Sequence, residues 1–79
     1  MDKRLSNLIA KVMDVTVDQI NEKSGPDNIE NWDSFNGLLL VDELESQFNV
    51  KFSLEEMSDV KTVSDIILHL RTHGVVLDD

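Results

Sequence analysis

Residues 31–48 read NWDSFNGLLLVDELESQF and predict a helix with two apolar faces. At about 100° per residue, one stripe clusters around Gly37 and faces a core. Its members are Gly37, Leu40, Val41, Leu44 and Phe48. The opposite face, roughly 140–200° away from Gly37, carries Phe35, Leu39, Asp42 and Ser46. Because a small soluble domain needs only one apolar face, Phe35 and Leu39 indicate a docking surface beside the hydroxyl of Ser34. Glycine lowers helix propensity, so we also expect Gly37 to allow close approach of another backbone.

The size and composition of the chain exclude several functions. Its 79 residues predict one domain over residues 1–79, too small for a deep enzyme cleft. A hydrophobic content of 41% favours a packed core over disorder. There is no cysteine, which excludes disulfides, thiolate metal sites and thiol nucleophiles. No apolar run approaches the roughly 20 residues of a membrane span, and no signal-peptide segment is present, so we expect a cytoplasmic protein without membrane insertion.

The net charge of −9 disfavours binding to nucleic acid or anionic lipid. Residues 31–60 hold much of this charge, with Lys51 as their single basic side chain. Their acidic residues are Asp33, Asp42, Glu43, Glu45, Glu55, Glu56 and Asp59. A solvated surface that maintains solubility is one interpretation. Beside an exposed apolar face, we favour a surface that steers basic partner proteins.

The rest of the chain predicts more helices and no sheet. Residues 2–14 have the apolar spacing of an amphipathic core helix, and residues 15–33 form a long loop whose apolar residues favour order. Ser53 and Glu56 match a capping box that opens a short helix to about residue 58. A final helix begins after Thr62 and ends near Gly74, and Asn49 is a plausible C-cap of the preceding long helix. The predicted fold is therefore all-α, a small bundle of three long helices and one short helix.

The hydroxyl of Ser34 has three interpretations. With Asp33, it suits the cap of a helix. A catalytic nucleophile would need a base, but the only histidines, His69 and His73, lie near the end of the last helix, so we predict no catalytic residues and no enzyme activity. An attachment point is the third interpretation, because a helix N-terminus favours the anion of a phosphodiester. The two histidines lack an evident third ligand, so we predict no metal site and expect them to complement the helix dipole.

The stretch Trp32-Asp33-Ser34-Phe35 and the apolar pattern after it resemble the acyl carrier protein family. The resemblance covers essentially the whole chain, including Phe52 and the helix start at Thr62-Val63-Ser64-Asp65-Ile66. It implies that Ser34, next to Asp33, carries 4′-phosphopantetheine, transferred from coenzyme A by a phosphopantetheinyl transferase. Substrates would then travel as thioesters on the thiol of this arm.

The resemblance also implies that partner enzymes recognise the second helix. Expected partners of the monomer are an acyl- or aminoacyl-loading ligase and synthases or transferases with basic docking patches. The predicted docking residues are Phe35, Leu39, Asp42, Glu43, Glu45, Ser46, Glu55 and Glu56. Phe35 stands where the family usually has leucine, and Leu39 where glutamate is frequent. Asn31 replaces a usual glycine, and we expect it to adopt the left-handed backbone that glycine permits.

Three functions follow from these observations. The first is a carrier of acyl groups, and the Trp-Asp-Ser form looks more like discrete carriers of specialised pathways, such as polyketide synthesis, than the carrier of primary fatty acid synthesis. The second is an aminoacyl or peptidyl carrier, for example of D-alanine. The third is an acidic helical adaptor that is never modified. The cargo and the pathway are not distinguished by the sequence.

Overall fold

The structure is a computed structural model that describes residues 1–78, and the predicted all-α fold is confirmed. Within this range there are four α-helices, a short 3₁₀ turn and no strand. The elements are α1 (Lys3–Met13), the 3₁₀ turn (Val17–Gln19), α2 (Ser34–Phe48), α3 (Leu54–Asp59) and α4 (Val63–Thr72). Three helices are long and α3 is short, as the hydrophobic periodicity predicts.

Polar side chains define where the helices begin. The Asp2 carboxylate accepts hydrogen bonds from the first-turn amides of α1, and Asp33 does the same for α2. Ser53 and Glu56 form the predicted capping box of α3. The Asp65 carboxylate accepts from the backbone N–H groups just before α4. Each cap satisfies amides that a helix leaves without internal partners.

Left-handed residues mark the ends of the long helices. Asp14 follows α1 with φ of 57°, and Asn49 follows α2 with φ of 55°. Gly74 lies shortly after α4 with φ of 86°. The predicted termination of α2 at Asn49 and of α4 near Gly74 is confirmed. Both residue types adopt this backbone more readily than most others.

The core is formed by the three long helices and by the loop that follows α1. Its buried hydrophobic residues are Leu5, Leu8, Ile9, Ala10, Met13, Ile20, Ile29, Trp32, Leu40, Leu44, Val63, Ile66 and Leu70. No residue of α3 is fully buried. The short helix therefore covers one side of the bundle without contributing to its centre.

The long loop between α1 and α2 is ordered, as the sequence predicts. Ile20, Ile29 and Trp32 anchor it in the core. The carbonyl of Ser24 accepts a hydrogen bond of 2.8 Å from the Val63 amide at the start of α4. Gly25 packs so closely on the Lys61 carbonyl that a Cβ at this position would collide with it. The loop and the start of α4 therefore form one end of the bundle.

Contacts between α1 and α2 show that these helices run in opposite directions. The Asn31 side chain donates to the carbonyl of Met13 at 2.7 Å, which places the start of α2 beside the end of α1. At the other end of the bundle, the guanidinium of Arg4 lies 5.2 Å from the centre of the Phe48 ring. Ser34 and Phe48 consequently lie at opposite ends of the bundle.

Candidate functional site

Ser34 is the first residue of α2, and its side chain is exposed. The helix cap is Asp33, whose Oδ1 accepts from the Asn36 amide at 2.8 Å. Within residues 1–78, the Ser34 hydroxyl has no hydrogen-bond partner. The capping interpretation therefore applies to Asp33, and the serine hydroxyl is available for another role.

The two histidines interact with Glu56 and not with Ser34. Nε2 of His73 lies 2.8 and 3.0 Å from the two Glu56 carboxylate oxygens, and Nδ1 of His69 lies 3.6 Å from one of them. The Phe52 ring makes edge contacts with both imidazoles. A hydrogen bond from the Ser53 backbone, together with His73, lowers the pKa of Glu56. These contacts join α3 to α4. The sequence does not predict this role, because residues 17 positions apart share no periodicity.

A cavity of about 420 Å³ lies beside Ser34 and extends between α2, α3 and α4. It is lined by Trp32, Ser34, Gly37, Leu38, Leu40, Val41, Leu44, Phe52, Glu56, Met57, Val60, Ile66 and His69. Most of these side chains are apolar. The free hydroxyl and an apolar cavity thus occupy the same side of the bundle.

The outward face of α2 is exposed, as the two-faced pattern predicts. Phe35 is 74% exposed and Leu39 is 40% exposed, and Asp42 and Ser46 are also at the surface. Leu38 is 60% exposed and also lines the cavity. Leu38 was not among the predicted docking residues, although its position about 100° from Gly37, between the two faces, could have revealed it.

The acidic residues proposed for docking have different surroundings. Asp42 and Glu55 are exposed, and Glu43 is half-buried. The Glu45 carboxylate accepts from the Phe52 amide at 2.8 Å, and the Glu56 carboxylate is bonded as described above. Two of the proposed docking acids therefore also have partners inside the fold. Their role in docking stays a prediction.

Two local expectations are wrong. Gly37 does not face another backbone, because a Cβ at this position would have only the Trp32 ring within 4 Å. Asn31 does not adopt a left-handed backbone, since Asp14 and Asn49 are the positive-φ residues other than glycine. Asn31 instead uses its side chain to bind the Met13 carbonyl, while its own carbonyl accepts from the Asn36 side chain. Side-chain packing and hydrogen bonding explain both positions.

None of the helices in residues 1–78 combines the length and the apolar character needed to cross a lipid bilayer. A small helical bundle with a free serine hydroxyl at a helix start, beside an apolar cavity, has the form of a domain that bears a covalently attached group. The family model of the phosphopantetheine attachment site matches residues 3–70.

The chain belongs to this family, in agreement with the resemblance to acyl carrier proteins, and its prosthetic group is covalently bound 4′-phosphopantetheine. Domains of the family generally act as non-catalytic carriers and interact with phosphopantetheinyl transferases and biosynthetic enzymes. The residues present fit the group, because an exposed and unbonded hydroxyl lies next to an apolar cavity.

Proposed function

We propose that this chain is an acyl carrier protein of the cytoplasm, with 4′-phosphopantetheine attached to Ser34 through a phosphodiester. The observation that carries the proposal is the free, exposed hydroxyl of Ser34 on the wall of the apolar cavity. When bound, the group supplies a flexible arm with a terminal thiol, on which acyl cargo is held as a thioester. The chain itself has no cysteine that could do this.

The lining of the cavity supports acyl cargo over aminoacyl cargo. Apolar side chains from three helices and from the residue after α3 line it: Leu40, Val41, Leu44, Met57, Val60 and Ile66. Burial among them favours an alkyl chain, whereas an ammonium group would lose hydration without gaining a partner. The acidic residue of the lining, Glu56, is already bonded to His73.

The outward face of α2 supports docking by partner enzymes. We infer that Phe35 and Leu39 form its apolar centre, and that Asp42, Glu43 and Ser46 surround them, with Glu45, Glu55 and Glu56 adding negative charge. A net charge of −9 accelerates encounters with basic patches more than it strengthens binding. The expected contacts are transient, so that one carrier visits its transferase, its loading ligase and its synthases in turn.

Intact mass after incubation with a phosphopantetheinyl transferase and coenzyme A tests the attachment. We expect wild type to gain one phosphopantetheine and Ser34→Ala to gain none. Thr72→Ala removes another exposed hydroxyl, at the end of α4 and away from the docking face, and should still be modified. An unchanged wild-type mass would count against every carrier function and favour an unmodified adaptor.

The cargo is tested by loading the modified protein. We expect an acyl ligase to form a thioester with it and a ligase specific for D-alanine to form none. The opposite outcome would overturn the acyl assignment and identify an aminoacyl carrier. Because both reactions need the arm on Ser34, Ser34→Ala serves as the negative control for each.

A further inference from the structure

Trp32 is the single tryptophan of the chain, and its side chain is buried without a polar partner. The residue is only 5% exposed, yet its Nε1 has no hydrogen-bond partner among residues 1–78. Buried tryptophans usually find an acceptor for this N–H group. Among residues 1–78, every side-chain nitrogen or oxygen that is fully inaccessible to solvent has a hydrogen-bond partner. Since Nε1 of Trp32 has none, it is not fully inaccessible. The N–H group therefore reaches open space.

We infer that this space is the cavity beside Ser34. Trp32 lines it together with Ser34 and Gly37. Nε1 lies 3.7 Å from the point that a Cβ of Gly37 would occupy, so the glycine leaves the nitrogen uncovered on the side of α2. A hydrogen-bond donor is thus presented at the first turn of α2, within a cavity whose walls are otherwise mostly apolar.

We propose that the Trp32 N–H group binds a carbonyl oxygen of the group attached at Ser34, an inference that rests on the proposed function. An indole nitrogen only donates, so its ligand must be an acceptor. A carbonyl is neutral and enters an apolar cavity at low cost once it is hydrogen-bonded, whereas a phosphate would lose its hydration. Amide carbonyls of the arm and carbonyls of the acyl cargo share this chemistry.

This hydrogen bond would retain the arm or its cargo inside the bundle. A thioester held there is shielded from water and from nucleophiles in solution. A partner enzyme must then compete with one neutral hydrogen bond, which leaves release easy. Trp32 acts in this way as a positioning residue for the cargo, with no part in bond making or breaking.

The indole resonance in ¹H–¹⁵N NMR spectra and the emission of the single tryptophan test the proposal directly. The experiment compares the unmodified protein, the protein with its arm, and the protein loaded with an octanoyl group. A shift upon attachment of the arm identifies an amide carbonyl of the arm as the acceptor, whereas a shift only upon loading identifies a cargo carbonyl. Identical spectra in all three states would overturn the proposal.

Thioester cleavage by hydroxylamine gives a second readout. Trp32→Phe retains an aromatic ring but removes the N–H group, and we expect its octanoyl thioester to react about two to ten times faster than that of wild type. Gly37→Ala retains the indole and places a methyl 3.7 Å from its nitrogen, so it should also accelerate the reaction. Leu68→Ala, on the exposed face of α4, is the control that should react as wild type does.

The outcomes separate the two proposals. Absence of any mass gain with coenzyme A and transferase would overturn the proposed function and this inference with it. A normal mass gain with equal thioester reactivity in wild type and Trp32→Phe would overturn only the inference. If Trp32→Phe does not fold, the wild-type indole spectra still decide.

Discussion

Two neighbouring residues at the start of α2, Asp33 and Ser34, have different surroundings. Asp33 has an extended backbone, with φ of −100° and ψ of −175°, and its carboxylate accepts a hydrogen bond from the Asn36 amide in the first turn. Ser34 is already helical, and its hydroxyl forms no such bond. Because Asp33 satisfies the helix start, the proposed modification of Ser34 would remove no stabilising contact.

We therefore expect different costs when each side chain is truncated. Asp33→Ala should lower the free energy of unfolding by about 0.5–2 kcal/mol through the lost cap. Ser34→Ala should change it by less than about 0.5 kcal/mol, as is usual at exposed positions. Urea denaturation of both variants measures this. A loss for Ser34→Ala as large as that for Asp33→Ala would show that the hydroxyl is a cap.

The sequence could not decide between these two residues. Asp33 and Ser34 both belong to the types that cap helices, and their roles depend on a helix boundary that sequence patterns locate only to within about one or two residues. Trp32 illustrates a different limit. The apolar residues of the loop after α1 predict that it is ordered, but the contact of the Trp32 ring with Gly37 depends on the path that this loop takes in the folded chain.

The element α2 presents one face to the core and another to solvent. Leu40 and Leu44 are almost fully buried, whereas Phe35 and Leu39 are exposed. Leu40 and Leu44 contribute to packing in the core. Phe35 and Leu39 instead form exposed apolar surface that the fold does not need. The two faces can therefore be changed separately.

Substitutions on the two faces should affect different measurements. Phe35→Glu and Leu39→Glu should leave the melting temperature nearly unchanged and weaken cargo transfer to partner enzymes, because they change only the proposed docking face. Leu44→Ala should cost about 2–5 kcal/mol of stability through the cavity it creates. Thermal unfolding and transfer rates distinguish them, and a strong loss of stability in Phe35→Glu would contradict the two-faced helix.

At the level of elements, the sequence predicts what short-range rules control. The capping box of Ser53 and Glu56, the left-handed Asn49 and the glycine after α4 all follow from residues within a few positions of one another. The attachment of α3 to α4 does not. It depends on the contact of Glu56 with His73, which only the folded chain brings together.

Across the whole molecule, the buried Asp2 joins the first helix to the segment after the last. Its Oδ2 accepts from the Asp78 amide at 2.9 Å, and Arg4 donates both to Asp2 and to the carbonyl of Val76. The hydrogen bond from the Arg4 side chain, supported by backbone amides, holds the pKa of Asp2 well below its usual range despite burial. Periodicity places Asp2 only at a helix start and cannot reveal a partner 76 positions away.

Acidification should therefore weaken the fold through Asp2. Since the folded state lowers the pKa of this carboxyl, its contribution is complete above the ordinary value of 3.8 and is lost as the pH falls below it. Asp2→Asn should be less stable than wild type at neutral pH, and the difference should shrink progressively as the pH falls below 3.8. Urea denaturation across this range measures it, and parallel stability profiles for the two proteins would contradict this role.

The position of α3 has a consequence for the range of acyl cargo that we propose for this protein. This six-residue helix forms part of the cavity wall through Glu56 and Met57, yet none of its side chains is fully buried. Displacing it would break a few polar contacts and leave the buried core residues of α1, α2 and α4 in place. We expect the cavity to widen for long or branched acyl chains when α3 moves outward. The three long helices would then keep the bundle rigid, while the short helix adapts to the size of the bound chain.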